Sequence, residues 1–316
     1  MRIVILGAGG RLGAALKRDY REKFDVIGLT RAEIDLAKPD QIRDRLSSFE
    51  FELLINCAAM TNVDLCESKR AEAFAINAEA PKGLVEICRE KDAKLIHFST
   101  DYVFDGEKRK PYVETDVANP ISVYGESKRT GEQNVLAGLA TASPSSGGQD
   151  RSASAKVPVR LGPTADRHLV VRVSWVFGPD RPSFVDAMIK RASEEERIDA
   201  VADKFSTPTY TSDIARMLTQ FLDVDVPGGI LHFANSGECT WQEYAQHAID
   251  CCHALGIPLK AREVGGLKLA DMKQWIARRP VYSVLSTGKY AKLTGAIPRS
   301  WRDAVSDYIE RSYSKK

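Results

Sequence analysis

The run Arg2-Ile3-Val4-Ile5-Leu6-Gly7-Ala8-Gly9-Gly10-Arg11-Leu12-Gly13 opens the chain, and Ala14 to Tyr20 follows with helix-forming composition. It reads as strand, glycine turn and helix. Glycines at 7, 10 and 13 let the backbone turn tightly, approach a pyrophosphate and pack helix on strand, while the helix N-terminus offers free N–H groups to an anion. The spacing Gly-x-x-Gly-x-x-Gly is a variant of the dinucleotide fingerprint, and a preceding strand with a following helix is the context that fingerprint needs. Gly7, Gly10 and Gly13 are thus candidates for a cofactor loop.

Further strands follow at intervals. Asp25 to Leu29 ends in Thr30-Arg31, Phe51 to Asn56 opens into Cys57-Ala58-Ala59-Met60-Thr61, and His168 to Ser174 leads to Trp175. Helical periodicity is expected from about Pro39 to Ser48 and, in one long stretch, from Ser68 to Lys91. Alternation of this kind predicts an α/β fold, a Rossmann-type doubly wound parallel sheet whose ligands bind beyond the carboxyl ends of the strands. A smaller mixed α/β part is expected toward the C-terminus, with helices from about Ser183 to Glu195, after Thr240 and from Trp301 to Tyr313, and a strand near Ile230 to Ala234. We assign 1–176 to the dinucleotide-binding domain, with 209–236 returning to it. Residues 177–208 and 237–316 form the substrate-binding part. The small, polar, aperiodic stretch within 140–167 reads as a loop insertion. At the end of the second strand an acidic residue would favour an unphosphorylated adenine ribose and a basic one a phosphorylated ribose. Arg31 there, with Arg11 in the glycine turn, predicts NADPH over NADH; the competing reading is that both are solvated surface charges.

The strand Lys94-Leu95-Ile96-His97-Phe98 ends in Ser99-Thr100-Asp101-Tyr102-Val103-Phe104-Asp105-Gly106, and Tyr124 and Lys128 follow at helical spacing. Four residues apart on a helix, phenol and ammonium share one face. A neighbouring cation favours the phenolate, so Tyr124 becomes a candidate general acid of lowered pKa. His97 and His232, each inside an apolar strand, read as satisfied core groups.

Several classes of function are excluded by composition. At 316 residues with 43% apolar and 28% charged side chains the chain can build a sizeable core, and a net charge of +2 argues for neither nucleic acid nor an anionic membrane as partner. Six cysteines show no Cys-x-x-Cys pair or zinc spacing, so no metal site is expected. Met1 leads directly into a strand and no apolar run reaches the length of a spanning helix, so a cytoplasmic protein is expected.

Taken together, the glycine turn, Asn56 to Asp64, Ser99 to Gly106, Tyr124-x-x-x-Lys128 and Arg172-Val173-Ser174-Trp175-Val176 resemble the extended short-chain dehydrogenase/reductase superfamily, and within it the dTDP-4-dehydrorhamnose reductase family. The resemblance implies Tyr124 as proton donor, Lys128 as holder of the nicotinamide ribose and Thr100 as orienter of the reacting oxygen. It implies cofactor contacts at Gly10, Arg11, Leu12, Asp35, Leu36, Ala59, Met60 and Thr61, and substrate contacts at Asp101 and Trp175. For Trp175 a core role and a sugar-stacking role both stay open. The implied reaction is hydride transfer from NADPH, with NADH possible, to the C4 ketone of a nucleotide-linked 4-keto-6-deoxysugar; a homodimer is possible. Departures cluster on the substrate side. Ser183 stands where the family usually has Asn, and Asp-Gln-x-Gly-x-Pro-Thr becomes Asp203-Lys204-Phe205-Ser206-Thr207-Pro208-Thr209. A sugar-nucleotide dehydratase needs a second carboxylate where Tyr102 stands. Two alternatives stay open: a reductase of another keto-substrate, and a non-catalytic nucleotide-binding protein like the regulatory subunit of methionine adenosyltransferase.

Overall fold

The structure is a computed structural model that describes residues 1–137, 167–223, 226 and 228–314. The loop expected over 140–167 lies, apart from Arg167, outside the described residues. Strands β1 (Arg2–Leu6), β2 (Asp25–Leu29), β3 (Leu53–Asn56), β4 (Lys94–Thr100) and β5 (Leu169–Val173) join Gly229–Phe233 in a six-stranded sheet. The order across it is β2, β1, β3, β4, β5 and then Gly229–Phe233, and every neighbouring pair is parallel. Alternate side chains feed opposite faces. Ile3, Ile5, Leu53 and Ile96 pack with Leu16 and Ile214 on one side, while Val4, Leu6, Leu54 and Leu95 pack with Ile42, Leu46 and Leu84 on the other. β3 and β4 are buried along their whole length, as central strands must be when both faces are covered.

Toward the C-terminus, helices Phe184–Glu194, Trp241–Ala254 and Trp301–Tyr313 close on an aromatic-rich core that includes Phe177, Tyr210, Tyr244, Trp301 and Tyr308. Ile198–Val201 pairs in parallel with Val264–Leu267 beside them.

The doubly wound sheet is as expected, but the single helix expected over 68–91 is not. The chain instead forms Val63–Ser68, Arg70–Phe74, a π-helical turn at Ala75–Glu79, and Ala80–Glu90. Pro81 is the cause. It has no N–H to give the carbonyl of Asn77 four residues back, and the ladder widens so that the Ala80 N–H reaches Ala75 O, five residues away. The Asn77 carbonyl turns toward helix Val123–Ala137, where a Cβ on Gly131 would stand 2.1 Å from it. The Asn77 side chain accepts from Met60 N at 2.8 Å and donates to Met60 O and Ser127 Oγ, both at 3.0 Å. The bulge therefore clamps the segment after β3 to the helix that carries Tyr124 and Lys128.

A methyl group separates this contact from ordinary helix packing. Gly131→Ala is expected to cost about 1–3 kcal/mol, because the obstructing atom is backbone. Gly83→Ala, with nothing within 4 Å of its added Cβ, is expected to hold or raise stability by up to about 1 kcal/mol. Urea unfolding midpoints compare the two, and equal midpoints would contradict the tight approach at Gly131.

Candidate active site

Register decides where the polar residues meet. Leu6 pairs with both Leu29 and Asn56, and Asn56 pairs with His97, so the chain leaves β1, β2 and β3 at Gly7, Thr30 and Cys57 on one rim. β4 continues on that rim to Thr100. Between them lies a cleft of about 840 Å³, at the point where the winding reverses between β1 and β3.

Gly7 has φ +74°, and a Cβ on it would stand 2.8 Å from Ala58 N, so the turns after β1 and β3 come this close only because the residue is glycine. Helix α1 (Arg11–Tyr20) starts at the cleft, with Gly10 as an N-cap that offers no side-chain acceptor and no acidic residue in the first turn. Its free N–H groups and positive end suit an anion. Gly13 does not line the cleft; a Cβ there would stand 2.3 Å from Gly7 O, so it serves the packing of α1 on β1. Every other residue expected at the site lines the cleft: Gly7, Gly10, Arg11, Leu12, Arg31, Asp35, Leu36, Ala59, Met60, Thr61, Thr100, Asp101, Tyr124, Lys128 and Trp175.

The two arginines differ. Arg11 donates to the carbonyls of Val176 (3.2 Å), Arg181 (3.2 Å) and Pro182, while Arg181 returns a bond to Gly9 O at 2.9 Å. These two side chains tie the glycine turn to the segment after β5. Arg181 was not visible in the sequence pattern. Arg31 is 80% exposed, 3.7 Å from Glu72, and leaves its guanidinium available at the far end of the cleft.

Tyr124 is buried against the edge of Tyr102, with centroids 5.6 Å apart. Burial raises its pKa, relieved in part by the Thr100 hydroxyl. The lowering expected from Lys128 is absent for a structural reason. Lys128 Nζ is turned to Phe98 O at 2.7 Å and His97 Nε2 at 3.2 Å, and desolvation of the phenol dominates. The phenol consequently keeps its proton near neutral pH. Lys128 itself is brought down to about 8 by burial, against the pull of Glu132. His97 is a buried and satisfied group as expected, but its partner is a residue of the site.

Asp101 is 2% exposed, and both its oxygens have partners: Thr100 Oγ1 donates to Oδ1 at 3.0 Å, and Ser206 and Ser283 donate to Oδ2 at 3.2 and 2.5 Å. Burial raises its pKa despite nearby Lys204 and those hydroxyls. Lys204 is fully buried, donates to Pro280 O at 2.9 Å and lies over the rings of Tyr102 and Trp175 at 5.2 and 5.6 Å. Trp175 holds φ +38°, a strained value for a bulky residue. Its indole N–H and the Ser99 hydroxyl are buried at the cleft with no partner among the described residues, two donor groups suited to a polar ligand. Across the mouth, Asp64 accepts from Arg279 at 2.7 Å and from the backbone N–H groups of Ile276 and Ala277 at 2.9 Å, joining the rim after β3 to the C-terminal segment. No cluster of three or more His, Cys, Asp or Glu arranged for a metal occurs among the described residues.

Residues 1–143 and 159–314 match the family described as RmlD substrate binding domain. The chain belongs to that family. Among its relatives, a dTDP-4-dehydrorhamnose reductase from Mycolicibacterium smegmatis is 36% identical over 98% of this chain and 85% of its own length. A probable dTDP-4,6-dihydroxy-2-methyloxan-3-one 4-ketoreductase from Streptomyces antibioticus is 36% identical over 97% of this chain and 94% of its own. Among solved structures, a dTDP-4-dehydrorhamnose reductase from Bacillus anthracis in complex with NADP superposes with a TM-score of 0.83 at 28% identity, covering 98% of this chain and 99% of the other. Lys204 and Ser206, read from the sequence as departures from the pattern the chain resembles, both lie against Asp101.

Burial of Lys204 has a measurable signature. Its folded-state pKa is lowered to about 8 from 10.5 by desolvation, so between those values the unfolded chain binds the extra proton and stability rises with pH. The stability of the wild type relative to Lys204→Met is expected to rise from pH 8 to 10.5, by at most about 3 kcal/mol. Urea titrations of both proteins across that range measure it, and a flat difference would refute the buried amine.

Proposed function

We propose that the protein is an NADPH-dependent reductase of the C4 ketone of a nucleotide-linked 4-keto-6-deoxysugar. One observation carries the reading: the Tyr124 phenol, the Thr100 hydroxyl and Lys128 converge on the cleft that begins at the Gly7 turn. A binding protein has no need of a buried, protonated phenol aimed at its ligand cleft.

In this reading Gly7, Gly10, Leu12, Asp35, Leu36 and Ala59 to Thr61 hold the cofactor, with the N-terminus of α1 at its pyrophosphate and Arg31 at the adenine ribose. The cleft supports it: an uncapped helix end and a guanidinium both favour phosphate. The reduced nicotinamide supplies the hydride. Tyr124 donates its proton to the oxygen that gains charge as the carbonyl is reduced. The Thr100 hydroxyl lies beside the same place, and turning its one proton from Asp101 Oδ1 to the oxygen that gains charge lets it stabilise that charge. Lys128 carries a positive charge to the cofactor ribose and, from there, favours the phenolate that remains. Residues 177–208 and 237–316 enclose the sugar, with Trp175 against it. A cytoplasmic location goes with this reading; among the described residues no helix is long and apolar enough to cross a membrane.

Supplying dTDP-4-keto-6-deoxymannose and NADPH and following loss of reduced-cofactor absorbance tests the proposal. Tyr124→Phe is expected to lower kcat by roughly 10²–10⁴-fold with little change in cofactor affinity. Undiminished turnover in the variant would remove Tyr124 as the acid, and NADPH binding without any turnover by the wild type would favour a regulatory protein. Arg31→Asp is expected to reduce the preference for NADPH over NADH roughly tenfold or more, as loss of a charged hydrogen bond to phosphate requires. Equal rates with the two cofactors in the wild type would defeat that assignment.

A further inference from the structure

A chain of four hydrogen bonds runs under the cleft, and its direction is set at one end. The Ala58 backbone N–H can only donate, and it does so to Asn56 Oδ1 at 3.0 Å. The other end of that amide is then the NH₂ group, which donates to His97 Nδ1 at 3.1 Å. A ring nitrogen that accepts carries no hydrogen. His97 is fully buried and burial holds its pKa well below the usual value, so the ring is neutral and its one proton sits on Nε2. That N–H points at Lys128 Nζ, 3.2 Å away.

An ammonium has three N–H groups and no lone pair, so two donors would face each other here; an amine has a lone pair and accepts. Its own N–H still reaches Phe98 O at 2.7 Å. Reversing the chain would turn the Asn56 NH₂ against the Ala58 N–H, which cannot move without breaking the close approach of Ala58 to Gly7. We infer that Asn56 and His97 are positioning residues that, in alkaline solution, hold Lys128 as an uncharged amine before the cofactor binds, and that cofactor binding there is accompanied by uptake of one proton at Lys128.

The charges around Lys128 are compatible with this. Glu132, one turn along the same helix, favours a cation, as does the Cys57 thiol beyond β3, but Glu132 is already bidentate to Arg172 at 2.7 Å and also bound by Arg129. Tyr124 on the same helix is neutral, and His97 on β4 opposes the cation. The proton comes from solvent to the Nζ lone pair as Lys128 leaves the His97 N–H for ligand oxygens, which accept from an ammonium. The cation then appears beside Tyr124 when the phenol is about to give up its proton. This inference rests on the proposed function for the identity of the ligand.

Two measurements on the full chain test it. Nitrogen-15 NMR of the histidine rings in the cofactor-free protein is expected to find His97 protonated on Nε2; a proton on Nδ1 would overturn the inference. Calorimetry of NADPH binding in buffers of different ionisation enthalpy is expected to show uptake approaching one proton per cofactor at pH 9. In Asn56→Asp both carboxylate oxygens accept, so His97 turns its proton to Nδ1, Nε2 accepts from an ammonium, and uptake falls to near zero. Cofactor binding by the wild type without proton uptake at pH 9 would also overturn it. Absence of NADPH binding altogether would instead remove the proposed function, and the NMR result would still decide the tautomer.

Discussion

Pairing of Asn56 with Leu6 on one side and His97 on the other is the constraint from which the site follows. Side chains in a strand alternate between faces, so a slip of one residue would place Ile55 where Asn56 stands and reverse both faces of the sheet. The same register brings Ala58 onto Gly7, which only a residue without a Cβ permits. Sheet pairing thus sets cofactor turn, amide, imidazole and amine in one line, and the apolar side chains of β1, β3 and β4 hold that register because both faces are buried.

Burial also determines the chemistry of the cleft. The Tyr124 phenol and Asp101 carboxyl are pushed up and Lys128 and Lys204 down, each with desolvation as the leading cause. All four shifts favour the neutral form. For an acid that must keep its proton until charge develops on a ligand, this is the useful direction. An exposed Tyr-x-x-x-Lys pair would have neither the suppressed ionisation of the phenol nor the lowered ammonium.

Local pattern was enough for the strands of the sheet and for the helix that carries Tyr124 and Lys128. Short stretches rich in Ile, Val and Leu marked β1 and β2, and the spacing of Tyr124 and Lys128 placed them together on a helix from Val123 to Ala137. What escaped was set by partners distant in sequence. Ser206 and Ser283 reach Asp101 across 105 and 182 residues, and nothing in the local pattern around either serine points to that contact. His97 sits in an apolar strand and is indeed buried there; its contact with Lys128, 31 residues on, depends on how a helix crosses the sheet. The π turn was legible in principle, since Pro81 cannot complete an α-helical ladder, but the periodicity of the flanking apolar residues masked it.

The three departures from the family pattern resolve into two different causes. Ser183 caps helix Phe184–Glu194: its N–H and hydroxyl both donate to Asp186 at 2.6 Å, and Asp186 in turn accepts from Tyr308 and Tyr313. That is a matter of the C-terminal core and does not touch the cleft. Lys204 and Ser206 belong together. A carboxylate buried as deeply as Asp101 is costly without a counter-charge or donors, and these two positions supply one of each. A Gln and a Gly in their places would remove a cation and a hydroxyl from the same buried group. The two substitutions therefore act as a single adjustment of the charge around Asp101, and through its bond to Thr100 that adjustment extends to the hydroxyl beside Tyr124.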